Sequence, residues 1–297
     1  MGRPSAGPSF IIEVLKNALS GLSPVREWFE RLSARRSREA EDFSRPFTLW
    51  QELQARTRGQ LSVEGQEVLE IGPGKSLGLC LIFLAAGARR VFAFDRFRHL
   101  FWDDLDRAHL AHVLDRISRE GWPGAAAARR AVRQIRRGEA TFDPDLLVYG
   151  HADGAGLPLD GASVDLSYSN AVLEHVHRPA EVVRELARVT RRGGSTIHEI
   201  DFRDHFVEVN RLRMLAFTEA EWQLRARLRP GYTNRLRLSD FVSLFADAGF
   251  SLLNGQPTNQ TSDQEVEGLR DGLADHFRER PTADLTTLSF WGWWRRL

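Results

Sequence analysis

The stretch Val68-Leu69-Glu70-Ile71-Gly72-Pro73-Gly74-Lys75-Ser76-Leu77-Gly78 constrains the fold more than any other part of the chain. It begins as a short apolar run, Val68 to Ile71, of the kind that forms a strand buried on both faces. Two glycines one residue apart follow, and Leu77, Leu79, Leu81 and Ala85 then open an apolar helix. Strand, tight glycine turn and helix are the first half of a nucleotide-binding βαβ unit. The glycines let the backbone pass under a ligand where a Cβ would collide with it.

Spacing sorts the ligands that such a turn can take. A P-loop needs a glycine five residues before its Gly-Lys-Ser. Here that position is Leu69, inside the strand, which excludes the P-loop despite Gly74-Lys75-Ser76. A dinucleotide fingerprint needs glycines at the first, third and sixth places. Counting from Gly72 the sixth place is Leu77, and Gly78 misses by one, so NAD is disfavoured. An acid two residues before the first glycine, as Glu70 stands to Gly72, resembles motif I of the class I S-adenosylmethionine-dependent methyltransferases. The departure is Ser76, where many members carry a third glycine.

Composition narrows the partners. The 297 residues are enough for one large domain or one domain with a lid. A formal net charge of +1 provides no overall field for nucleic acid or an anionic membrane. Cys80 is the single cysteine, which excludes an internal disulfide and a cysteine-rich zinc site. No segment reaches the roughly 18 unbroken apolar residues of a membrane span. The N-terminus lacks an uninterrupted apolar core with a cleavage site behind it, so a cytoplasmic location is the default expectation.

Ahead of the glycine turn, apolar residues at Ile11, Val14, Leu15, Ala18 and Leu22 follow a helical period, which Pro24 interrupts. A second helix runs through Trp28, Phe29 and Leu32, and Phe47, Trp50 and Leu53 suggest a third. The basic run Arg31 to Arg38 reads as the solvated face of this helical cap, because Glu39, Glu41 and Asp42 follow at once. Beyond the turn, Arg90 to Asp95 is a strand ending in a carboxylate, about 20 residues on, where an acid accepts ribose hydroxyls. Residues 98–140 exceed one crossover helix. A helix through Leu100 to Ile117 is expected, then a second carrying Arg129, Arg130, Arg133, Arg136 and Arg137 on a solvated face.

Leu146 to Gly150 is the third strand, with His151-Ala152-Asp153-Gly154 at its exit. Leu157-Pro158-Leu159-Asp160-Gly161 and the strand from Val164 through Asn170 resemble the Leu-Pro motif and Asp-led fourth strand of the same methyltransferases. Ala171-Val172-Leu173-Glu174-His175-Val176 matches their usual continuation. The resemblance covers residues 65–201 closely and 236–297 more loosely. A helix from Val182 to Val189 is expected to end on a glycine cap at Arg191-Arg192-Gly193-Gly194. The fifth strand, Ser195 to Asp201, is unusually polar, which suggests that its polar residues face the ligand crevice. Residues 206–235 read as a lid insertion, Ser251 to Leu253 as the sixth strand and Thr286 to Trp294 as the seventh, with Trp291, Trp293 and Trp294 serving packing.

The resemblance implies an α/β, Rossmann-like, doubly wound seven-stranded sheet, strands 1–6 parallel and strand 7 antiparallel, with N-terminal helices and a lid. Its divisions are a helical cap at 1–60 and a methyltransferase domain at 61–297, with insertions at about 98–140 and 203–236. It implies S-adenosylmethionine as cofactor, held by Glu70, Gly72, Pro73, Gly74, Asp95, Ala152, Asp153 and Asn170. Asp153 would meet the adenine amino group.

Methyl transfer from a sulfonium needs donor and acceptor held in line, and a group to handle the acceptor's proton. His205 is the first candidate for general base, oriented by Asp201 or Asp204, with His175 as the competitor. The same His-plus-two-Asp set could hold Mg²⁺, but its spacing does not demand a metal. The Asn-Pro-Pro-Tyr type of motif for base amino groups is absent, which leaves a small-molecule acceptor, a hydroxyl on a sugar or specialised metabolite above all. A homo-oligomer is compatible with the sequence. The motifs certify the cofactor and not the transfer, so a cofactor-binding module or a cyclising catalyst stays open as the alternative.

Overall fold

The computed structural model describes residues 42–136, 138–205, 211–226 and 232–297. The helices expected between Ile11 and Arg38 lie outside the described residues. The first helix described, α1 (Arg45–Arg56), has Pro46 in its first turn, where a missing N–H leaves no hydrogen bond unmade. It buries Phe47 and Leu53.

In chain order the strands are β1 (Glu67–Ile71), β2 (Arg90–Asp95), β3 (Val132–Arg136), β4 (Glu139–Phe142), β5 (Leu147–His151), β6 (Val164–Asn170), β7 (Thr190–Asp201), β8 (Phe250–Gln260) and β9 (Thr287–Arg296). Seven of them form one sheet in the order β5-β2-β1-β6-β7-β9-β8. Strand β9 is antiparallel to β7 and β8, and every other pairing in the sheet is parallel, as the resemblance implied. From β1 the order runs outward through β2 on one side and β6 on the other. The crevice at such a switch point opens at the carboxyl ends of the strands. All five residues of β1 are buried, the side chains of Glu67 and Glu70 included.

The remaining helices are α2 (Gly78–Ala85), α3 (Asp104–Arg119), α4 (Ala125–Ala131), α5 (Pro179–Val189), α6 (Glu219–Ala226), α7 (Leu238–Asp247), α8 (Asp263–Arg270), α9 (Asp275–Arg278) and α10 (Thr282–Thr286). They cover both faces of the sheet. Val68 shares a core with α1 to α4, whereas its neighbours Leu69 and Ile71 share another with α5 and α7. Alternation along the strand thus feeds two layers. Trp291 and Trp293 pack into the first core and Trp294 into the second, so the C-terminal tryptophans do serve packing.

Four sequence expectations are corrected. The arginine-rich segment is not one helix. Helix α4 ends at Ala131, and Arg133 and Arg136 lie on β3, which pairs with β4 as a separate hairpin. Gly138 turns this hairpin in the left-handed region (φ +86°), and Val132, Ile135, Ala140 and Phe142 pack against the first core. Helix α5 does not run to a glycine cap: it ends at Val189, and Gly193 and Gly194 lie inside β7, where the register against β6 shifts. The sixth strand is longer than three residues and runs from Phe250 to Gln260.

The fourth correction concerns the polar residues of β7. Thr196 and His198 face the interior and are fully buried. Ser169 Oγ lies 2.7 Å from His198 Nδ1, Thr196 Oγ1 bonds His198 Nε2, and Ser167 donates to Thr196 Oγ1 at 2.8 Å. Two adjacent strands therefore satisfy each other's polar groups across the ladder, which removes the usual penalty for burying them. His198 lies over Phe245, and burial pushes its pKa down to about 3, so the ring is neutral.

The insertion after β7 builds a third core. Met214, Leu215, Phe217 and Trp222 pack with Val266, Phe277 and Leu285 from the β8–β9 connection. The described part of the insertion is therefore anchored beside the sheet by apolar contacts.

Candidate functional site

The glycine turn leaves β1 with Gly72 at φ +66° and Gly74 at φ +65°, both left-handed. The two glycines serve different ends. A Cβ on Gly72 would lie 2.5 Å from Val172 Cγ2, so this glycine permits close approach of the β6 exit. A Cβ on Gly74 would meet nothing within 4 Å, so the turn's backbone faces open space there. Gly72→Ala is expected to cost about 2–4 kcal/mol, left-handed strain plus overpacking, and Gly74→Ala about 1–2 kcal/mol, the strain alone. Denaturant unfolding of the two variants checks the difference.

Asp95 at the end of β2 is buried. Its Oδ2 accepts the Gly74 N–H at 3.0 Å and its Oδ1 the Phe97 N–H at 2.9 Å. An ionised carboxylate has about four acceptor sites, and His99 Nε2 also lies 3.8 Å from Oδ1. Glu70 lies beneath the turn, and its Oε2 accepts the Cys80 thiol at 2.9 Å. Burial raises the Glu70 pKa to about 7; the thiol opposes the shift and Asp95 adds to it. At the β5 exit, Ala152 donates its N–H to the Asp95 carbonyl. Asp153 is half exposed, accepts the Ala155 N–H and lies 3.4 Å from Arg178.

Asn170 closes β6 opposite Glu199. Ala171 then adopts φ +54°, a region that non-glycine residues rarely enter. Its N–H is held by the Glu199 carbonyl at 2.9 Å. The bend sets Val172 against Gly72, so the exits of β1 and β6 meet at this point. Nothing in the sequence marks an alanine for such a conformation.

The exits of β6 and β7 carry the proton-handling candidates. His205 Nε2 lies 3.3 Å from Asp201 Oδ2. Arg203 binds the same carboxylate through Nε at 2.9 Å and 3.0 Å and through Nη2. Burial would raise the Asp201 pKa, but the bonds from His205 and Arg203 outweigh it and hold the carboxyl well below the usual range. The His175 and His205 rings are 5.0 Å apart, edge to face. His175 Nδ1 lies 2.8 Å from the Tyr232 carbonyl. Burial lowers the His175 pKa, with His205 adding to the effect and the Tyr232 carbonyl opposing it.

Asp204 is buried, and its N–H donates to the Arg211 carbonyl at 2.7 Å. Glu174 is buried beside His175, Oε1 lying 4.0 Å from Nε2, and burial drives its pKa upward. Among the described residues no three His, Cys, Asp or Glu side chains are grouped to hold a metal ion. Sequence reasoning named Asp201, Asp204, His205 and His175 but missed Arg203 and Tyr232. Arg203 carried a readable signal in its place between Asp201 and His205; Tyr232, acting through its backbone carbonyl, had none.

A family model described as a methyltransferase domain matches residues 124–198, which include the β5 and β6 exits. A probable S-adenosylmethionine-dependent methyltransferase of Mycolicibacterium smegmatis is 27% identical over 253 residues, 85% of this chain and 70% of that protein. Both matches support a class I S-adenosylmethionine-dependent methyltransferase. A probable S-adenosylmethionine-dependent methyltransferase of Mycobacterium tuberculosis is 28% identical over 185 residues. That match covers 62% of this chain and 48% of the relative, so the chain spans about half the relative's length.

Solved structures are similar at lower identity. An S-adenosylmethionine-dependent methyltransferase from Mesorhizobium loti is 17% identical with a TM-score of 0.46, covering 83% of this chain and 97% of that one. The cyclase SpnF is 15% identical with a TM-score of 0.44, covering 84% of this chain and 80% of that one. The carboxylate oxygens of Asp95 and the open side of Gly74 fit a ribose and its linker at the β1–β2 exits. No helix among the described residues is long and apolar enough to cross a membrane.

Proposed function

We propose that this methyltransferase transfers a methyl group to a hydroxyl of a small molecule, a sugar or specialised metabolite, using His205 as general base. The observation that carries the reading is the pair of His205 Nε2 and Asp201 Oδ2 at 3.3 Å, at the carboxyl end of β7. S-adenosylmethionine, when bound, supplies an electrophilic methyl group on a sulfonium that is already a good leaving group.

This chain's residues do the rest. Asp95 holds the ribose hydroxyls with its carboxylate oxygens, Gly72, Pro73 and Gly74 carry the backbone past the cofactor, and Asp153 with Ala152 borders the adenine. Glu70 and Asn170 bound the cleft from the ends of β1 and β6. Asp201, kept ionised by its bonds from His205 and Arg203, orients the His205 imidazole and stabilises its charged form as it takes the acceptor's proton. Asp204 fixes the β7 exit through its backbone bond to Arg211. Of the cap expected at residues 1–60, α1 is described: its Pro46 packs on Gly78 and its Arg56 pairs with Glu199 at 2.6 Å.

The cofactor half is tested by calorimetry. S-adenosylmethionine and its demethylated product are expected to bind and NAD is not. Asp95→Ala is expected to weaken binding by about 1–3 kcal/mol, the cost of leaving polar groups unpaired. Heat with NAD and none with the sulfonium would sink the reading. The transfer half is tested with methyl-labelled cofactor and an extract of the producing cell. Label in a small molecule supports transfer; tight cofactor binding with no labelled product points to a non-methylating role.

A further inference from the structure

The two candidate imidazoles sit on different strand exits, and one short segment reaches both. Tyr232-Thr233-Asn234-Arg235-Leu236-Arg237 runs from the insertion into α7. Its first half grips the turn after β6. Asn234 is buried and donates Nδ2–H bonds to the carbonyls of Leu173 at 2.8 Å and Val176 at 3.2 Å. The Asn234 backbone N–H donates to the Glu174 carbonyl at 2.7 Å, and its Oδ1 accepts the Leu236 N–H at 3.2 Å. Both its amide atoms are committed to backbone.

The same grip sets the chemistry of His175. Nδ1 lies 2.8 Å from the Tyr232 carbonyl, which can only accept, so Nδ1 carries the proton. In the neutral ring Nε2 is then the bare nitrogen. On the far side of the same carbonyl's residue, the Tyr232 ring stacks on His177 at 3.8 Å.

The second half of the segment grips the exit of β7. Arg237 is fully buried. Its Nη1 donates to the Phe202 carbonyl at 2.8 Å, and its Nη2 donates to the carbonyls of Leu285 at 3.1 Å and Thr287 at 2.5 Å. Phe202 follows Asp201 directly, so this guanidinium pins the peptide between the carboxylate and His205 to the start of β9. A buried arginine whose two Nη groups go to carbonyls, with Nε left without a partner, is costly to desolvate, and its pKa falls to about 10 for that reason. A lysine offers a single point of attachment in place of the planar fork.

We propose that the Tyr232–Arg237 segment is the positioning element of the acceptor site, with Asn234 fixing the His175 tautomer and Arg237 fixing the Asp201–His205 pair. The functional importance of the two imidazoles rests on the reading above; the positioning is read without an acceptor or cofactor. The experiment is nitrogen-15 NMR of the histidine rings in the full chain, assigned with His175→Asn and His205→Asn. The parent is expected to show His175 locked with Nδ1 protonated and Nε2 bare.

Asn234→Asp sets a carboxylate against two carbonyl oxygens. It is expected to replace that pattern by averaged tautomers at His175 while leaving the His205 signals in place. Arg237→Lys is expected to do the reverse. Asn234→Ser and Arg237→Met serve if either variant fails to fold. Folded variants whose ring signals match the parent overturn the proposal, and so does movement of both rings in each variant, which signals general loosening. Calorimetry with S-adenosylmethionine on the parent separates this outcome from failure of the methyltransferase reading.

Discussion

His205→Ala should lower turnover by about 10²–10⁴-fold, the usual contribution of a positioned general base. Cofactor affinity should stay close to that of the parent, because the hydrogen bonds at the cofactor side run through Gly74, Asp95 and Asp153 and this imidazole is not among their partners. Asp201→Asn gives a second arm. It keeps the shape of the side chain but removes the charge that stabilises the protonated ring. A smaller loss is expected. Single-turnover rates on the acceptor identified by labelling check both. Full activity in His205→Ala would make this residue structural and move the role to His175.

Acid should destabilise the fold through His198. The ring titrates ordinarily near 6.5 and is held down to about 3 by burial, its bonds going to Ser169 and Thr196. Below pH 6.5 the unfolded chain binds a proton that the folded chain refuses, so this contribution is complete above 6.5 and is lost as pH falls towards 3. Across that window the loss should approach about 4–5 kcal/mol, a large part of a typical domain's stability. Glu70 works with the opposite sign. Its carboxyl is raised to about 7, so the stability it favours is present below the ordinary carboxylate value and is lost as pH rises through 7. Comparing the parent with His198→Gln isolates the histidine, since Glu70 is common to both. Denaturant midpoints from pH 7.5 to 4 should fall steeply in the parent and more gently in the variant. Parallel slopes would show that the ring takes up its proton without leaving the fold.

What the chain determines by itself is mostly local. Glu70, Gly72 and Gly74 were legible because a tight turn under a ligand has a short-range requirement: left-handed backbone and no Cβ. The strand sequence and its parallel order followed from apolar runs spaced by helices together with motif order, and the sheet has that topology. The Asp201–His205 pair was within reach for the same reason, because five consecutive residues leave one strand.

The misreadings have a physical pattern as well. Thr196 and His198 looked like crevice residues because a sequence cannot show that Ser167 and Ser169 stand opposite on the next strand to satisfy them. Arg133 and Arg136 looked helical because their charges masked the turn that Gly138 makes between two short strands. The partners of the site are long-range: His175 takes its tautomer from the carbonyl of Tyr232, and the β7 exit takes its anchor from Arg237. Backbone carbonyls carry no residue identity, so hydrogen bonds to them leave no trace in a sequence. Only the packing of the chain into two layers and a third core brings those atoms within 3 Å of the side chains they hold.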